Sequence, residues 1–317
     1  MMTNASLHRA KRVKNDEFYT RLTDIEKELK NYKDFFKEKV VYCNCDRVDG
    51  ENRSNFFVYF TKYFKEFGLK RLICTSYNKG GKGKLFIYDG DTNLNDIIDM
   101  DGDGDFRSEE CVKWLKECDV VVTNPPFSLF RDFVAQLMEY NKKFLIIGNM
   151  NAITYKEIFP LIKDNKLWLG ASIKSGDRKF YVPDNYPLNA SGCGIDEKGK
   201  RFIRVKGVRW FTNIEDAKRN LPLDLYKKYN PKDYPKYDNY DAINVDKTSD
   251  IPMDYDGVMG VPITFLDKYC PTQFEIVDIN PHFFSLIEQG LPKPKQLTLH
   301  NVGRKKDVYA RILIRRK

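Results

Sequence analysis

Val120-Val121-Val122-Thr123-Asn124-Pro125-Pro126-Phe127 is an apolar, β-branched run that leads into two prolines and an aromatic ring. Its first four residues predict a buried strand, Val120–Thr123. A segment with apolar residues at helical spacing follows, from Ser128 to Tyr140, and the apolar run Phe144–Ile147 predicts the next strand. Strand, loop, helix and strand form a βαβ unit. The sequence therefore predicts a parallel sheet, with the prolines at the carboxyl end of one strand, where such sheets bind ligands.

The tetrapeptide Asn124-Pro125-Pro126-Phe127 is typical of enzymes that methylate an exocyclic amino group on a nucleobase. That nitrogen is a poor nucleophile, because its lone pair is delocalised into the ring. The Asn124 side-chain oxygen and the Pro125 carbonyl can each accept one amino hydrogen, which aims the lone pair at a methyl sulfonium. The prolines restrict φ and stiffen the loop, and Phe127 offers a ring on which an extruded base can stack. A tight turn after a strand is the plainer interpretation.

Composition narrows the class of protein. The 317 residues carry a net charge of +9, which points to a polyanionic partner. No apolar run approaches the roughly 18 residues of a membrane span, and no signal peptide is visible. The seven cysteines are scattered and odd in number, which suits reduced thiols. No second Cys or His pair stands at zinc spacing. We therefore expect a cytoplasmic protein without a bound metal or a membrane partner.

Other segments predict the elements that surround this loop. Residues 1–14 form a basic, polar arm that could fold onto DNA phosphates or serve as a solubilising tail. The predicted helices are Leu22–Phe36, Asn55–Phe67 with Ser54 as N-cap, and Ser108–Cys118. The predicted strands are Val40–Cys45, Arg71–Tyr77 and Lys84–Tyr88. After Trp168 the helical signals become sparse, and short aromatic and β-branched runs alternate with turn residues.

In this order the motifs resemble the EcoRI family of adenine-specific DNA methyltransferases, within the gamma class of amino-methyltransferases. The resemblance runs along nearly the whole chain. The segments that show the resemblance are Asp16–Thr20, Cys43–Asp46, Gly104–Ser108, Thr123–Phe130, Gly148–Asn151, Val208–Asn213 and Met259–Phe265. A Phe-Tyr-Thr element precedes the first strand, the Asn-Pro-Pro-Phe loop follows, and a variable region comes last. The set in this order is more specific than any single motif.

The resemblance implies a Rossmann-like α/β fold and S-adenosylmethionine as the cofactor. Asn124, Pro125, Pro126 and Phe127 are the catalytic residues that it implies. The implied cofactor-binding residues are Phe18, Tyr19, Thr20, Cys45, Asp46, Asp105 and Phe106. Asp46 would meet the methionine ammonium, whereas Asp105 and Phe106 would bond and stack the cofactor adenine.

The same resemblance predicts the domain organisation of the chain and its binding partner. A catalytic domain would span residues 15–215, with 174–206 as a possible hairpin insertion, and a target-recognition region would span 216–317. The partner would be duplex DNA, with the target adenine flipped out of the helix. The site would be GAATTC or a related A/T-rich palindrome, methylated by a monomer in separate encounters with each strand. A cognate restriction endonuclease could act on the same site without direct binding.

Several alternatives stay open on the sequence. Asn-Pro-Pro-aromatic loops also serve enzymes that methylate an RNA base or a protein glutamine, and a non-catalytic nucleic-acid-binding protein would explain the charge. The segment Asp99–Glu110 fits the spacing of an EF-hand calcium loop, with acids at positions 1, 3, 5 and 7, Gly at 6 and Glu at 12. The flanking turn-like residues leave room for only a short helix on its upstream side. The clustered acids therefore favour a solvated loop that contains one functional carboxylate.

Overall fold

The structure is a computed structural model that describes residues 19–50, 53–174, 176–184, 186–189, 192–216, 219–301, 304–307 and 310–317. The basic arm 1–14 and Phe18 lie outside these residues. The chain divides into two compact units, which are Met1–Ala152 with Gly170–Ile214, and Ile153–Leu169 with Glu215–Lys317. In the described part of the chain, no helix is long and apolar enough to cross a membrane.

The helices and strands follow in chain order. The α-helices are α1 (Leu22–Leu29), α2 (Asn55–Lys62), α3 (Phe64–Phe67), α4 (Glu109–Glu117), α5 (Phe130–Glu139), α6 (Phe159–Lys163) and α7 (Phe284–Glu288). The strands are β1 (Val40–Cys43), β2 (Arg71–Ser76), β3 (Lys84–Tyr88), β4 (Ile98–Asp99), β5 (Val120–Thr123), β6 (Lys143–Asn149), β7 (Trp168–Leu169), β8 (Arg178–Tyr181), β9 (Gly194–Ile195), β10 (Arg201–Val205), β11 (Val208–Thr212), β12 (Ile243–Asn244), β13 (Met259–Pro262), β14 (Phe274–Asn280), β15 (Thr298–Asn301), β16 (Arg304–Asp307) and β17 (Arg311–Arg316). The 3-10 helices are Lys30–Phe36, Phe127–Leu129, Met150–Thr154, Thr248–Asp250 and Ile263–Lys268.

A mostly parallel sheet forms the centre of the first unit. Its strands lie in the order β4-β3-β2-β1-β5-β6-β11. β2, β1, β5 and β6 are mutually parallel, whereas β3, β4 and β11 run antiparallel to their neighbours. The chain adds β2 on one side of β1 and β5 on the other. The strand order therefore reverses between β1 and β5, which is where sheets of this kind bind ligands. The predicted Rossmann-like α/β fold is confirmed.

The burial of the strands explains this arrangement. Every residue of β1 and β5 is buried, as expected for parallel strands that are covered on both faces. The aromatic residues of α2 pack into the same core, where Phe56 meets the Trp210 ring edge-on at 6.0 Å between centroids. Trp210 is fully buried in β11. The rigid sheet fixes the positions of the loops at its carboxyl edge.

Two predicted helices are interrupted. The segment Leu22–Phe36 changes from α1 to a 3-10 helix, with non-helical backbone angles at Tyr32. The segment Asn55–Phe67 breaks at Tyr63, which separates α2 from α3. Aromatic contacts outweigh helix continuity at these points, because Tyr59, Phe36 and Phe67 pack together in the core. The predicted N-cap is confirmed, since the Ser54 hydroxyl accepts the Phe56 amide at 3.1 Å.

A small antiparallel sheet lies within segment 174–206, with strand order β8-β10-β9. The second unit holds another sheet, β12-β13-β17-β14, and the antiparallel pair β15-β16. Apolar residues of β13, β14 and β17 are buried in that sheet, among them Val261, Ile279 and Leu313.

Candidate active site

The Asn-Pro-Pro-Phe loop begins directly after β5, at the carboxyl edge of the sheet and beside the point where the strand order reverses. Pro125 is buried, whereas Asn124, Pro126 and Phe127 are half-buried. The Oδ1 atom of Asn124 itself is inaccessible to solvent. The Leu129 amide donates to the Pro126 carbonyl at 3.0 Å, which closes a 3-10 turn after the prolines. The loop therefore holds an amide oxygen in a dry position, as a preorganised acceptor requires.

Hydrogen bonds to Asp46 connect the start of this loop to the neighbouring strand β1. Its side chain is only 3% exposed. One carboxylate oxygen accepts the Thr123 hydroxyl at 2.6 Å and the other accepts the Ser54 hydroxyl. The Asp46 amide donates to the Thr75 carbonyl at 3.0 Å. Since Thr123 immediately precedes Asn124, the carboxylate fixes the start of the Asn-Pro-Pro-Phe loop relative to β1 and β2.

Burial dominates the electrostatics at Asp46. Loss of solvent raises its pKa from 3.8 to about 6, although the hydrogen bonds from Ser54 and Thr123 favour the charged form. The adjacent Cys45 is half-buried, with its Sγ atom 4.0 Å from the Asn44 side-chain oxygen. Burial and the nearby Asp46 raise the pKa of the Cys45 thiol, so it is held as the neutral thiol. The first strand therefore ends in a polar but poorly solvated cluster.

Two buried polar atoms near this cluster have no hydrogen-bond partner among the described residues. They are the Thr20 hydroxyl oxygen and the Asn44 side-chain nitrogen. Thr20 lies close to the cluster, because its carbonyl accepts the Asn55 side-chain amide at 2.6 Å and Asn55 directly follows Ser54. A buried polar group without a partner is costly. A polar ligand at the carboxyl end of β1 would satisfy both.

The loop before α4 carries the predicted adenine-binding pair. Gly104 adopts φ +79°, and a Cβ there would collide with the Ser76 carbonyl oxygen, so glycine brings the loop against the end of β2. Asp105 is half-buried and accepts two hydrogen bonds from the Arg107 guanidinium, at 2.6 and 2.9 Å. Phe106 is 5% exposed and packs edge-on against Phe133 at 5.0 Å between centroids.

Arg107 is a functional candidate that the sequence interpretation missed. Its guanidinium holds the Asp105 carboxylate and lies 5.3 Å from the centre of the Phe106 ring. The only signal was a cation two residues after an acid on a turn, which is too common to be specific. Thr123 and Ser54 were likewise recognised only as a strand residue and an N-cap, because the contact between Thr123 and Asp46 joins residues 77 positions apart.

The remaining predicted residues extend the site towards the small sheet. Tyr19 pairs with Tyr181 of β8 through two backbone hydrogen bonds, of 2.9 and 3.2 Å. Phe127 meets Phe180 edge-on, with the ring centroids 6.5 Å apart. β8 therefore contacts both the N-terminal element and the Asn-Pro-Pro-Phe loop. Phe18 belongs to the same predicted element but lies outside the described residues.

The acidic loop Asp99–Glu110 does not gather its carboxylates around one point. Asp99 pairs with Lys84 at 2.5 Å. The Glu110 carboxylate accepts the amides of Asp101 and Gly102. In the part of the chain that the structure describes, no group of three or more His, Cys, Asp or Glu side chains could hold a metal ion. The predicted solvated loop agrees with these contacts, and the calcium alternative gains no support from them.

Comparisons with known proteins agree with this geometry. The model of the family described as adenine-specific methyltransferase EcoRI matches residues 6–317. Type II methyltransferase M.EcoRI of Escherichia coli is 50% identical over 299 residues, covering 87% of this chain and 89% of that protein. Type II methyltransferase M.MgeORF184P of Mycoplasma genitalium is 41% identical over 317 residues, covering 98% of each chain. Type II methyltransferase M.MpnI of Mycoplasma pneumoniae is 42% identical over 281 residues, covering 87% and 86%. No solved structure matches the chain.

The family match extends through both units of the chain. A 50% identity over most of both sequences supports the same class of enzyme. The chain therefore belongs to the EcoRI family of adenine-specific DNA methyltransferases.

Proposed function

We propose that the chain transfers the methyl group of S-adenosylmethionine to the exocyclic amino nitrogen of a flipped adenine in duplex DNA. The target is GAATTC or a related A/T-rich palindrome, and the enzyme acts in the cytoplasm as a monomer. The observation that carries the proposal is the Asn-Pro-Pro-Phe loop at the carboxyl end of β5, tied through Thr123 to the buried Asp46. This is the point of the sheet where a cofactor and a base can meet.

Asn124 and Pro125 act on the nucleophile. The Asn124 side-chain oxygen and the Pro125 carbonyl each accept one hydrogen of the adenine amino group. The nitrogen then becomes more tetrahedral, and its lone pair points at the methyl group. Because both acceptors are held on a proline-stiffened loop, little reorganisation is needed in the transition state. Phe127, half-buried beside them, stacks on the extruded base.

The residues at the carboxyl end of β1 fit the methionine end of the cofactor. The Asn44 side-chain nitrogen can donate to a carboxylate, and the Thr20 hydroxyl can donate or accept, so both buried atoms without partners would be satisfied. Asp46 offers its remaining lone pairs to the ammonium. When bound, S-adenosylmethionine supplies an electrophilic methyl group on a sulfonium.

Asp105 and Phe106 fit the cofactor adenine by residue type, as an acceptor and an aromatic face. The Arg107 guanidinium and its backbone amide already occupy three acceptor positions of Asp105. A carboxylate has about four such positions, so an adenine amino hydrogen would share the carboxylate with Arg107. Arg107 would then orient the carboxylate for the cofactor.

The test of the activity is transfer of a labelled methyl group from S-adenosylmethionine to DNA, RNA and protein substrates. We expect transfer to duplex DNA only. Asn124→Ala should reduce turnover by about 100-fold or more while DNA binding persists, because the acceptor acts mainly in the transition state. Asn93→Ala makes the same change in an exposed loop and should retain full turnover. Normal turnover in Asn124→Ala would refute the assignment of the catalytic loop.

Target specificity requires a separate experiment. The chain is expressed in a host without adenine methylation, and its DNA is challenged with EcoRI endonuclease while methyladenine is mapped by single-molecule sequencing. Protection, with methylation at the inner adenine of GAATTC, is expected. A few substitutions at base contacts can shift the site, since each wrong base pair costs about 1–3 kcal/mol. Complete cleavage with methyladenine in another motif would reject GAATTC and leave the enzyme class unchanged.

A further inference from the structure

We propose that one face of the small sheet β8-β10-β9 binds the phosphate backbone of duplex DNA next to the flipped adenine. We call this surface the basic face, and its residues are Lys179, Tyr181, Lys200, Phe202 and Arg204. The inference rests on the proposed function and assigns its substrate a binding surface within the first unit, in addition to the predicted recognition region 216–317.

The pairing register places these side chains on one face. In an antiparallel pair, directly opposed residues point to the same side of the sheet. Phe202 opposes Tyr181 and Arg204 opposes Lys179, so these four side chains share a face. Their neighbours Phe180 and Ile203 oppose each other and are buried in the core of the unit. The sheet therefore has one apolar face inside and one cationic, aromatic face outside.

The outer face interleaves cations with rings. The Lys179 ammonium lies 4.0 Å from the centre of the Phe202 ring and 5.1 Å from that of Tyr181. The Lys200 ammonium lies 5.8 Å from the centre of the Tyr181 ring. The rings hold the Lys179 ammonium in place, and lysine and arginine side chains are the usual donors to the phosphates of a duplex.

Two of the cations are available to a ligand. Lys200 and Arg204 are exposed, and within the described part of the chain neither forms an ion pair. Lys179 differs, because its ammonium is 3.4 Å from Asp196, whose carboxylate also accepts the Tyr181 hydroxyl at 2.9 Å. The Asp196 pKa is lowered to about 2, mainly by the Lys200 backbone amide, so this pair stays charged. Lys179 and Tyr181 are therefore held in place, while Lys200 and Arg204 remain free for phosphates.

The charge of this segment favours DNA as the occupant. Residues 174–206 contain eight Lys and Arg but four Asp and Glu, a net charge of +4 within a chain of net charge +9. A tenth of the sequence thus carries a large part of the excess positive charge. Since the enzyme acts on DNA, a concentrated cationic surface near its catalytic loop matches the polyanion that must lie there.

The inner face of the small sheet contacts the Asn-Pro-Pro-Phe loop. Phe180 projects from the opposite side of β8 and contacts the Phe127 ring, which lies in the catalytic loop. The adjacent Tyr181 is joined through its backbone to Tyr19 of the N-terminal element. A duplex on the basic face would therefore be separated from the catalytic loop by the thickness of one sheet. Backbone contacts there would fix the register of the target nucleotide.

The test compares Lys200→Ala/Arg204→Ala with Lys65→Ala/Lys70→Ala, which removes two exposed cations from α3 and the turn that follows it. The affinity of each protein for a 20-base-pair unmethylated duplex, which contains the sequence that the wild type methylates, is measured by fluorescence anisotropy over a range of salt concentrations. Loss of two phosphate contacts should reduce the slope of log Kd against log salt by about two. At 0.1 M salt, binding should weaken on the order of tenfold. The α3 control should keep the wild-type slope.

Two further measurements separate the possible failures. The charge-preserving exchange Lys200→Arg/Arg204→Lys should keep the wild-type slope, and the Lys65→Ala/Lys70→Ala control should keep the wild-type turnover at saturating DNA. Equal weakening by both alanine pairs would overturn the inference, because a general positive field would then account for binding. DNA methylation with an unchanged slope in Lys200→Ala/Arg204→Ala would overturn the inference alone. A wild-type chain that methylates no DNA would overturn the proposed function together with it.

Discussion

The buried carboxylate of Asp46 should make the stability of the first unit depend on pH, and Asp46→Asn should remove that dependence. Burial raises the Asp46 pKa from 3.8 to about 6 in the folded protein. Between these pH values the folded state retains a proton that the unfolded chain has released. The stabilisation is therefore complete below about pH 3.8, and it is lost as the pH rises through about 6.

The size of the effect follows from the shift. Two pKa units correspond to about 3 kcal/mol over the whole window, at 1.36 kcal/mol per unit. Between pH 5.0 and pH 7.5, a range in which the protein can be handled, the contribution falls by about 1.4 kcal/mol. Asp46→Asn keeps the volume of the side chain and cannot titrate. Its stability should therefore fall by about 1.4 kcal/mol less than that of the wild type across this range.

Urea unfolding at several pH values measures the difference. A Trp168→Phe background removes the tryptophan of the second unit, and the fluorescence of Trp114 and the fully buried Trp210, both in the first unit, then follows that unit. Asp34→Asn makes the same change at an exposed aspartate of the same unit, and its curve should parallel that of the wild type. Parallel loss of stability in the wild type and in Asp46→Asn would show that this carboxyl group holds no proton at pH 5, and would refute the reasoning.

Three further predictions concern the site. Phe127→Ala should impair capture of the flipped base, because it removes stacking worth roughly 1–3 kcal/mol; a fluorescent base analogue at the target position reports this, and unchanged fluorescence with an unchanged rate contradicts the stacking role. Asp105→Ala should raise KM for S-adenosylmethionine more than KM for DNA. Arg107→Ala leaves the carboxylate in place and should raise KM for S-adenosylmethionine less than Asp105→Ala does. Initial rates measure both KM values, and equal effects of Asp105→Ala on the two would reject the adenine contact. Gly104→Ala should reduce stability and cofactor affinity together, because a methyl group at φ +79° collides with the Ser76 carbonyl; calorimetric titration with S-adenosylmethionine measures the affinity, and wild-type binding would show that the loop can move away.

Much of the central sheet followed from local sequence. The β-branched run at β5 and the short apolar runs at β1, β2 and β6 predict strands because each is buried on both faces. The N-cap at Ser54 was equally predictable, since its hydroxyl acts on an amide only two residues away. Helix continuity was less predictable. The breaks at Tyr32 and Tyr63 depend on which aromatic rings meet in the core. Helical periodicity in the sequence does not indicate which distant rings will pack together.

By itself, the sequence determined that the Asn-Pro-Pro-Phe tetrapeptide follows a strand, because proline geometry and a β-branched run act over a few residues. Only the tertiary structure decided what surrounds that loop. It joined Thr123 to Asp46, paired Arg107 with Asp105, and set Phe180 against Phe127. It also raised the Asp46 pKa, since that shift depends on burial by distant parts of the chain. The basic face arises in the same way, because strand register, which the spacing of residues in the sequence does not specify, places Lys179 beside Phe202 and Arg204.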